Sequence, residues 1–416
     1  MRVLLISIAF PPKRDPESLQ VAKYCKYIQL EKEIQLEVVT SKDPTLFMET
    51  DHSLKRYAIG INVGLRIRIY ENRYVNRLIR IINSNLLRYP DSKFTFWWQR
   101  FKVVKAIQKP DLIYSRSYPI SSTLVALELK KKWNIPWVLH LSDPWVISSD
   151  SSRSPATLTG NAKKWNKRKE QECFESASII CLTSHKTIEL YANEYPHLRE
   201  KFVYMPNVFD DSVVKINPIK KSKKLKFLYT GGFAEFRSPL TLLEAIKAFW
   251  QRGGASMEDQ VEFLFTGEMA RVNARLFSQY DHITIIKHLG VLPYDEVLIL
   301  QRDAHILINV DTDIHDPSQA VYFPSKLLDY IIAQRRIVAI TNTYSTTYDV
   351  VQHKLGICFG FNEILQLADY FAFALDKFVK NDSDYFFIQK IDEEFSAKRN
   401  VDRLHSIFKS LLGKYV

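Results

Sequence analysis

Residues 323 to 341 read FPSKLLDYIIAQRRIVAIT. Pro324 and Ser325 are a helix start, Lys326 falls in the first turn, and Leu327, Leu328, Ile331 and Ile332 form an apolar stripe. A helix N-terminus already carries unsatisfied N–H groups and a partial positive charge, so a lysine there is badly placed unless an anion joins it. Asp329, on the same face one turn later, could accept hydrogen bonds from two vicinal hydroxyls. Phosphate followed by sugar hydroxyls along one helix describes a nucleotide. A Lys326–Asp329 surface ion pair is the simpler alternative, worth about 1 kcal/mol or less. A second group lies upstream. Gly231-Gly232 follow an apolar run, Arg237 stands in the next loop, and Ser238-Pro239 open an amphipathic helix. Glycines let backbone approach a phosphate closely and an arginine offers a matched fork, although tight turns also use Gly-Gly for steric reasons alone.

The first half offers VLHLSDPW at 138–145, in which His140 and Asp143 close an apolar run and Asp-Pro-Trp stops it. A carboxylate or imidazole at a strand end could stabilise a developing oxocarbenium ion or steer an acceptor hydroxyl, which makes Asp143 and His140 catalytic candidates. A core histidine is the competing reading of His140. In the loop FPPKRDPES (10–18), Arg14 could meet an acceptor phosphate while Ser18 caps the following helix. Asp311-Thr312-Asp313 has the form of a metal-binding Asp-x-Asp, a motif short enough to arise by chance. With Arg237, Lys326 and a helix end to neutralise a diphosphate, no obligatory metal is expected. Cys25, Cys173, Cys181 and Cys358 are scattered, with neither Cys-x-x-Cys nor zinc-ligand spacing, and Gly-x-Ser-x-Gly is absent.

These groups need elements to hold them. Short strand-like runs alternate with helical ones: 2–10, 36–40, 65–70, 111–116, 136–142, 178–184 and 202–206, then 225–231, 261–266, 283–287, 304–310, 336–341 and 357–359. Apolar strands separated by helices indicate parallel sheets covered on both faces. Residues 207–224 are polar, lysine-rich and without period, which marks a linker. The chain is therefore expected to be α/β, with two Rossmann-like doubly wound domains, 1–208 and 209–382, facing each other across a cleft, and two helical stretches in 383–416. Ligands of such sheets bind at the carboxyl ends of the strands, where both anion-binding groups lie.

Charge is divided unevenly. Residues 1–209 hold 33 Lys/Arg against 20 Asp/Glu, whereas 210–416 hold 25 against 26. Within 61–109 there are eleven basic residues and two acids, interleaved with Phe94, Phe96, Trp97, Trp98 and Phe101. That mixture suits an anionic membrane surface, and nucleic acid less well; interior packing of the aromatics with a solvated basic face is the alternative. No apolar run reaches bilayer-spanning length, and MRVLLISIAFPP reads as a first strand rather than a signal peptide, so a cytoplasmic protein, peripheral on the membrane's inner face through 66–105, is expected.

The second half resembles the C-terminal domain of retaining glycosyltransferases of the GT-B fold, family 4 type. The similarity rests on Gly-Gly-(four residues)-Arg-Ser-Pro, on GVLPYDEVLILQRDAHILIN (290–309) and on FPSKLLDYIIAQRRIVAIT; it is close over 225–345 and looser before. The resemblance implies transfer of a sugar from a nucleotide-diphosphate donor to a saccharide or lipid-linked saccharide in surface polysaccharide synthesis, without a cofactor. Gly231, Gly232, Arg237 and Lys326 would hold the diphosphate, Ser325 and Leu327 would cap it with backbone N–H groups, Asp329 would take the ribose, and the closing helices would cross back onto the first domain. One position departs: family members often place a sugar-binding Glu where Val321 stands, which leaves the sugar contact to Asp316, Ser318 or Gln319. A nucleotide-sugar 2-epimerase of the same fold and a catalytically degenerate scaffold are the alternatives.

Overall fold

The computed structural model describes residues 1–42, 50–70, 74, 77, 78, 89–146, 158, 160–213, 222–352, 354–388 and 391–413. Most of the expected helix 72–88, with Arg80, and the middle of the linker lie outside them. The chain divides into two units, Met1–Asp211 with Glu393–Val416, and Ser212–Asp392. Residues 383–392, grouped above with the closing helices, thus belong with the second unit. Among the described residues the closing segment holds one α-helix, Ala397–Gly413, rather than two; its other regular pieces, Ser383–Phe386 and Glu393–Phe395, are 3₁₀ turns.

The first unit is built on seven strands: β1 (Arg2–Ile6), β2 (Gln35–Ser41), β3 (Asn62–Ile67), β4 (Leu112–Ser117), β5 (Trp137–Leu141), β6 (Ile179–Leu182) and β7 (Phe202–Tyr204). They pair in parallel in the order β3-β2-β1-β4-β5-β6-β7. Alternate side chains point to opposite faces of a strand, and both faces are buried. Leu4, Ile6, Ile113 and Leu139 join one core with Leu124, Val125 and Phe174 from the covering helices. Val3, Leu5, Leu112 and Val138 join the other with Tyr24, Val401, Leu404 and Phe408. The helix Ala397–Gly413 therefore packs on this unit, beside the helix Pro16–Ile28.

The second unit repeats the plan with six parallel strands: β8 (Leu225–Thr230), β9 (Val261–Thr266), β10 (Ile286–His288), β11 (Ile306–Val310), β12 (Arg336–Ile340) and β13 (Gly356–Phe359), in the order β10-β9-β8-β11-β12-β13. In its core Phe227 stacks on Phe263 with ring centroids 4.5 Å apart, and Phe371 meets Phe263 edge-on at 4.9 Å. Strand order reverses between β1 and β4 in one sheet and between β8 and β11 in the other. At such a switch point the adjoining connections leave in opposite directions and open a crevice at the carboxyl ends. Residues 231–237 and 311–313 leave the two strands that flank this point in the second unit.

Candidate functional site

The site in the second unit begins where β8 ends. Gly231 has φ 107°, a conformation open to glycine at little cost. Gly267, at the end of β9, has φ 133°, and a Cβ there would lie 2.3 Å from the Gly231 oxygen. These glycines bring two strand ends close enough for the Gly231 N–H to reach the Thr266 carbonyl at 2.9 Å. Arg237 folds back over this turn and donates from Nη1 to the Gly232 carbonyl at 3.2 Å; its buried Nε has no hydrogen-bond partner.

Lys326 opens the helix Lys326–Ala333, and its ammonium end reaches the same turn. Nζ lies 3.8 Å from the centroid of the Tyr229 ring, and a Cβ on Gly231 would sit 3.7 Å from Lys326 Cδ. This nitrogen is buried and has no hydrogen-bond partner. Burial, followed by the positive charge of Arg237, holds its pKa well below the usual lysine value, opposed only in part by the Asp311 carboxylate. The surface ion pair with Asp329 is not formed. Asp329 is buried and accepts from the Tyr294 hydroxyl at 2.9 Å.

Tyr330 fixes the helix against the sheet. Its hydroxyl donates to the Ile308 carbonyl of β11 at 2.9 Å and accepts from the Thr230 N–H of β8 at 3.0 Å, spanning the switch point. At the other end of the helix Gln334 takes a left-handed conformation. Arg335 is buried there and donates to the Arg302 and Ala304 carbonyls, a structural role.

Two expectations need correction. Leu327 cannot offer an open N–H, because its N–H is donated to the Pro324 carbonyl at 3.0 Å in the turn that starts the helix. Ser325 stands at the N-cap with no side-chain capping bond. His140 lies in the core of the first unit, fully buried. Its Nδ1 accepts from the Tyr114 hydroxyl at 2.9 Å and its Nε2–H donates to the Met205 carbonyl at 3.1 Å. Burial, and then the nearby Arg116 guanidinium, keep the imidazole neutral, well below the ordinary histidine range. With both nitrogens used and no exposed surface, His140 takes the place of a core histidine that holds the sheet together.

Asp143 is exposed at the end of β5, in a turn fixed from both sides. On one side the Trp145 N–H donates to the Tyr191 hydroxyl at 2.7 Å, Trp145 Nε1 to Asn166 at 2.9 Å, and the Val146 N–H to Glu170 at 2.9 Å. On the other, Ser142 hydrogen-bonds to Glu17, and the buried Arg116 donates from Nε to Glu17 at 3.1 Å and from Nη2 to Ser142 at 3.2 Å. Glu17 lies in the first turn of the helix Pro16–Ile28, so this network ties the turn carrying Asp143 to the loop carrying Arg14. That helix is capped by Asp15, whose Oδ1 accepts the Ser18 N–H at 2.7 Å, not by Ser18.

Asp311 and Asp313 act separately. Asp311 is buried and accepts from Asn309 at 3.0 Å and Thr341 at 2.7 Å; Asp313 accepts from Asn342 at 3.2 Å. Among the described residues no group of three or more His, Cys, Asp or Glu could hold a metal ion. Val321 is buried, and Gln319 donates to Asp316 at 3.0 Å. Tyr229, Tyr294, Tyr330 and the Glu17–Arg116–Ser142 network had not been singled out in the sequence. Their partners lie on other elements; Tyr294, Tyr330, Glu17 and Ser142 fall inside the stretches quoted above, but nothing local marked them there.

No protein-family model matches the chain, and no curated protein matches it. Solved structures do. HepE of Anabaena, in complex with UDP and glucose, is 14% identical, covers 99% of this chain and 100% of its own, and superposes with a TM-score of 0.64. Sucrose-phosphate synthase of Thermosynechococcus elongatus is 14% identical over 100% of both chains, with a TM-score of 0.67. A candidate UDP-N-acetylglucosamine 2-epimerase of Listeria monocytogenes is 12% identical over 99% of this chain and 97% of its own, with a TM-score of 0.63. At such identities the similarity is one of fold: two Rossmann-like α/β units of the GT-B type.

Proposed function

We propose that the chain is a glycosyltransferase whose second unit holds a nucleotide-diphosphate sugar and whose product is an extended saccharide or lipid-linked saccharide, as in the building of a surface polysaccharide. The observation that carries this reading is the pair of basic side chains at the switch point, each with a buried nitrogen. Lys326 Nζ and Arg237 Nε both lack a hydrogen-bond partner. Charging Lys326 there without a counter-charge would cost several kcal/mol, of which the ring of Tyr229 returns only about 0.5–2 kcal/mol, and this is why burial holds it toward the neutral amine in the free protein. A diphosphate supplies the missing acceptors and the missing negative charge together. A scaffold that bound no anion would gain nothing from keeping both cations there.

UDP is the preferred nucleotide, because HepE was solved with it. Asp329 would accept a ribose hydroxyl while keeping its bond from Tyr294, since a carboxylate has lone pairs for several donors. In the transfer step the bond between the anomeric carbon and the diphosphate oxygen breaks, and its electron pair goes to the phosphate, whose charge Arg237 and Lys326 stabilise. The acceptor oxygen bonds to the anomeric carbon on the same face and its proton passes to the departing phosphate, so configuration is retained and the two cations do the neutralising work without a metal. Asp143 is the candidate that steers the acceptor hydroxyl.

Calorimetric titration with UDP, GDP, ADP and dTDP tests the binding step. One of them binds the wild type, and Lys326→Ala weakens it about 10- to 150-fold, the loss of one charge-assisted hydrogen bond of about 1.5–3 kcal/mol. Absence of binding to the wild type would sink the reading. The fold is shared with the Listeria candidate epimerase, so turnover is checked separately: consumption of the UDP-sugar that depends on an added saccharide supports transfer, and release of an epimerised sugar without one supports the epimerase.

A further inference from the structure

Three exposed aromatic side chains gather at one edge of the first unit. Tyr70, Trp98 and Phe101 are 59%, 58% and 52% exposed. Residues 68–70 prolong the edge strand β3 beyond its carboxyl end, and two bonds hold them to the adjoining helices Phe94–Trp98 and Arg100–Ala106: the Tyr70 N–H donates to Thr95 at 3.1 Å, and Gln99 Nε2 donates to the Arg68 carbonyl at 2.8 Å. Trp98 is one turn on from Thr95, with Phe94 packed on its ring at 4.6 Å, and Phe101 is three residues further. The neighbours Phe96 and Val103 face inward and join the core. Of the aromatics at 94–101, the packing alternative is thus met by Phe96 and, in part, by Phe94 and Trp97, and fails for Trp98 and Phe101.

The charge around them is mostly of one sign, with Glu128 of the neighbouring helix against Arg100. Arg68, Lys102 and Lys105 are exposed. Arg68 lies over the Tyr70 ring at 5.5 Å, and Arg100 is shared between the Trp97 ring and Glu128. Among the described residues of 61–109 the one acid is Asp91, and it does not face solvent with them. Its carboxylate accepts from the Ser121 N–H at 2.9 Å, the Ser121 hydroxyl at 2.8 Å and the Lys93 N–H at 2.8 Å. Among the described residues the patch therefore presents indole, phenol and phenyl groups among cations, with no carboxylate of its own segment between them.

We infer that this edge of the first unit docks on an anionic lipid surface, with Trp98, Phe101 and Tyr70 entering the headgroup layer and Arg68, Lys102 and Lys105 meeting lipid phosphates or carboxylates. Aromatic rings with a polar atom are at home at that interface, and lysine and arginine are drawn to it by the surface potential. Nucleic acid would use the cations and could stack on the rings as well, but the three aromatics rise from a strand end and two short helices rather than at a repeated spacing along one element. The patch lies toward the same end of the sheet as Asp143, since all strands are parallel. A lipid-linked acceptor would then be delivered at the end where the acceptor side of the proposed reaction lies, although docking itself does not depend on nucleotide binding.

Co-sedimentation with vesicles tests the inference on the full chain. The wild type sediments with phosphatidylcholine vesicles containing about 30% phosphatidylserine and stays in solution with phosphatidylcholine alone. Neutralising Arg68, Lys102 and Lys105 to glutamine lowers partitioning on the order of a hundredfold, about fivefold per charge. Trp98→Ala with Phe101→Ala lowers it roughly tenfold at unchanged charge. All five side chains are exposed, so melting temperatures should match the wild type and separate lost docking from lost folding. No sedimentation of the wild type with the anionic vesicles, equal sedimentation of the variants, or tighter binding to a single-stranded oligonucleotide than to the vesicles at the same salt would overturn it.

Discussion

Binding of a nucleoside diphosphate should take up a proton. In the free protein Lys326 Nζ is buried beside Arg237 and against the face of Tyr229, with Asp311 as the one acid acting on it, and burial favours the neutral amine. A diphosphate at the same place favours the ammonium. The sign follows: between the free-state pKa and the higher bound-state pKa each binding event draws close to one proton from the buffer. Affinity then falls as pH rises, by up to tenfold per unit, or about 1.4 kcal/mol. At about pH 8 the ligand's own phosphates are already ionised, because their last proton leaves near pH 6. Isothermal titration of UDP in buffers of different ionisation enthalpy reads the proton count directly. Lys326→Arg, whose guanidinium stays charged, should bind UDP with no proton uptake. Binding of UDP by the wild type with no buffer dependence, or the same uptake by Lys326→Arg, would refute the argument about Lys326 while leaving the nucleotide site in place.

Other outcomes can be measured with single substitutions. Asp329→Ala should weaken UDP about tenfold or more and leave inorganic pyrophosphate unaffected in the same titration, since only UDP carries a ribose. Gly231→Ala should lower stability by about 1–2 kcal/mol in urea unfolding, because the cost comes from its positive φ and a Cβ there meets only Lys326 Cδ at 3.7 Å. His140 is held neutral in the fold yet can protonate once unfolded, so it contributes to acid destabilisation: stability falls by up to about 1.4 kcal/mol per pH unit below about 6.5, and His140→Phe should remove that part of the slope in denaturation at several pH values. Phe408→Ala, which empties a buried site between the last helix and the first sheet, should cost about 3–5 kcal/mol and lower the melting temperature.

Much of the architecture was legible in the residues. The strand runs are dense in valine, isoleucine, leucine and phenylalanine and are set apart by helical period, and each of the thirteen runs corresponds to a strand. What the pattern could not carry was side-chain direction inside a doubly covered sheet. Trp137, Val138, Leu139, His140 and Leu141 are all buried, so no alternation distinguishes a site-facing position from a core one, and His140 read equally as either. Long-range pairing was equally hidden: Ser142 meets Glu17 across 125 residues, and Tyr330 reaches Thr230 across 100. The basic turn at Lys326 was visible because it conflicts with the helix it opens, and a conflict with local preference is where function shows. Its partner ring, Tyr229, was not, since it comes from another strand. The Leu327 N–H was misjudged because the turn at Pro324 spends it.

The structure of the complex with UDP is the most direct test. The diphosphate should lie at the Gly231-Gly232 turn, within hydrogen-bond distance of both Lys326 Nζ and Arg237, with the ribose hydroxyls at Asp329. UDP found elsewhere on the chain, with Lys326 Nζ still lying unpaired on the Tyr229 ring, would contradict it.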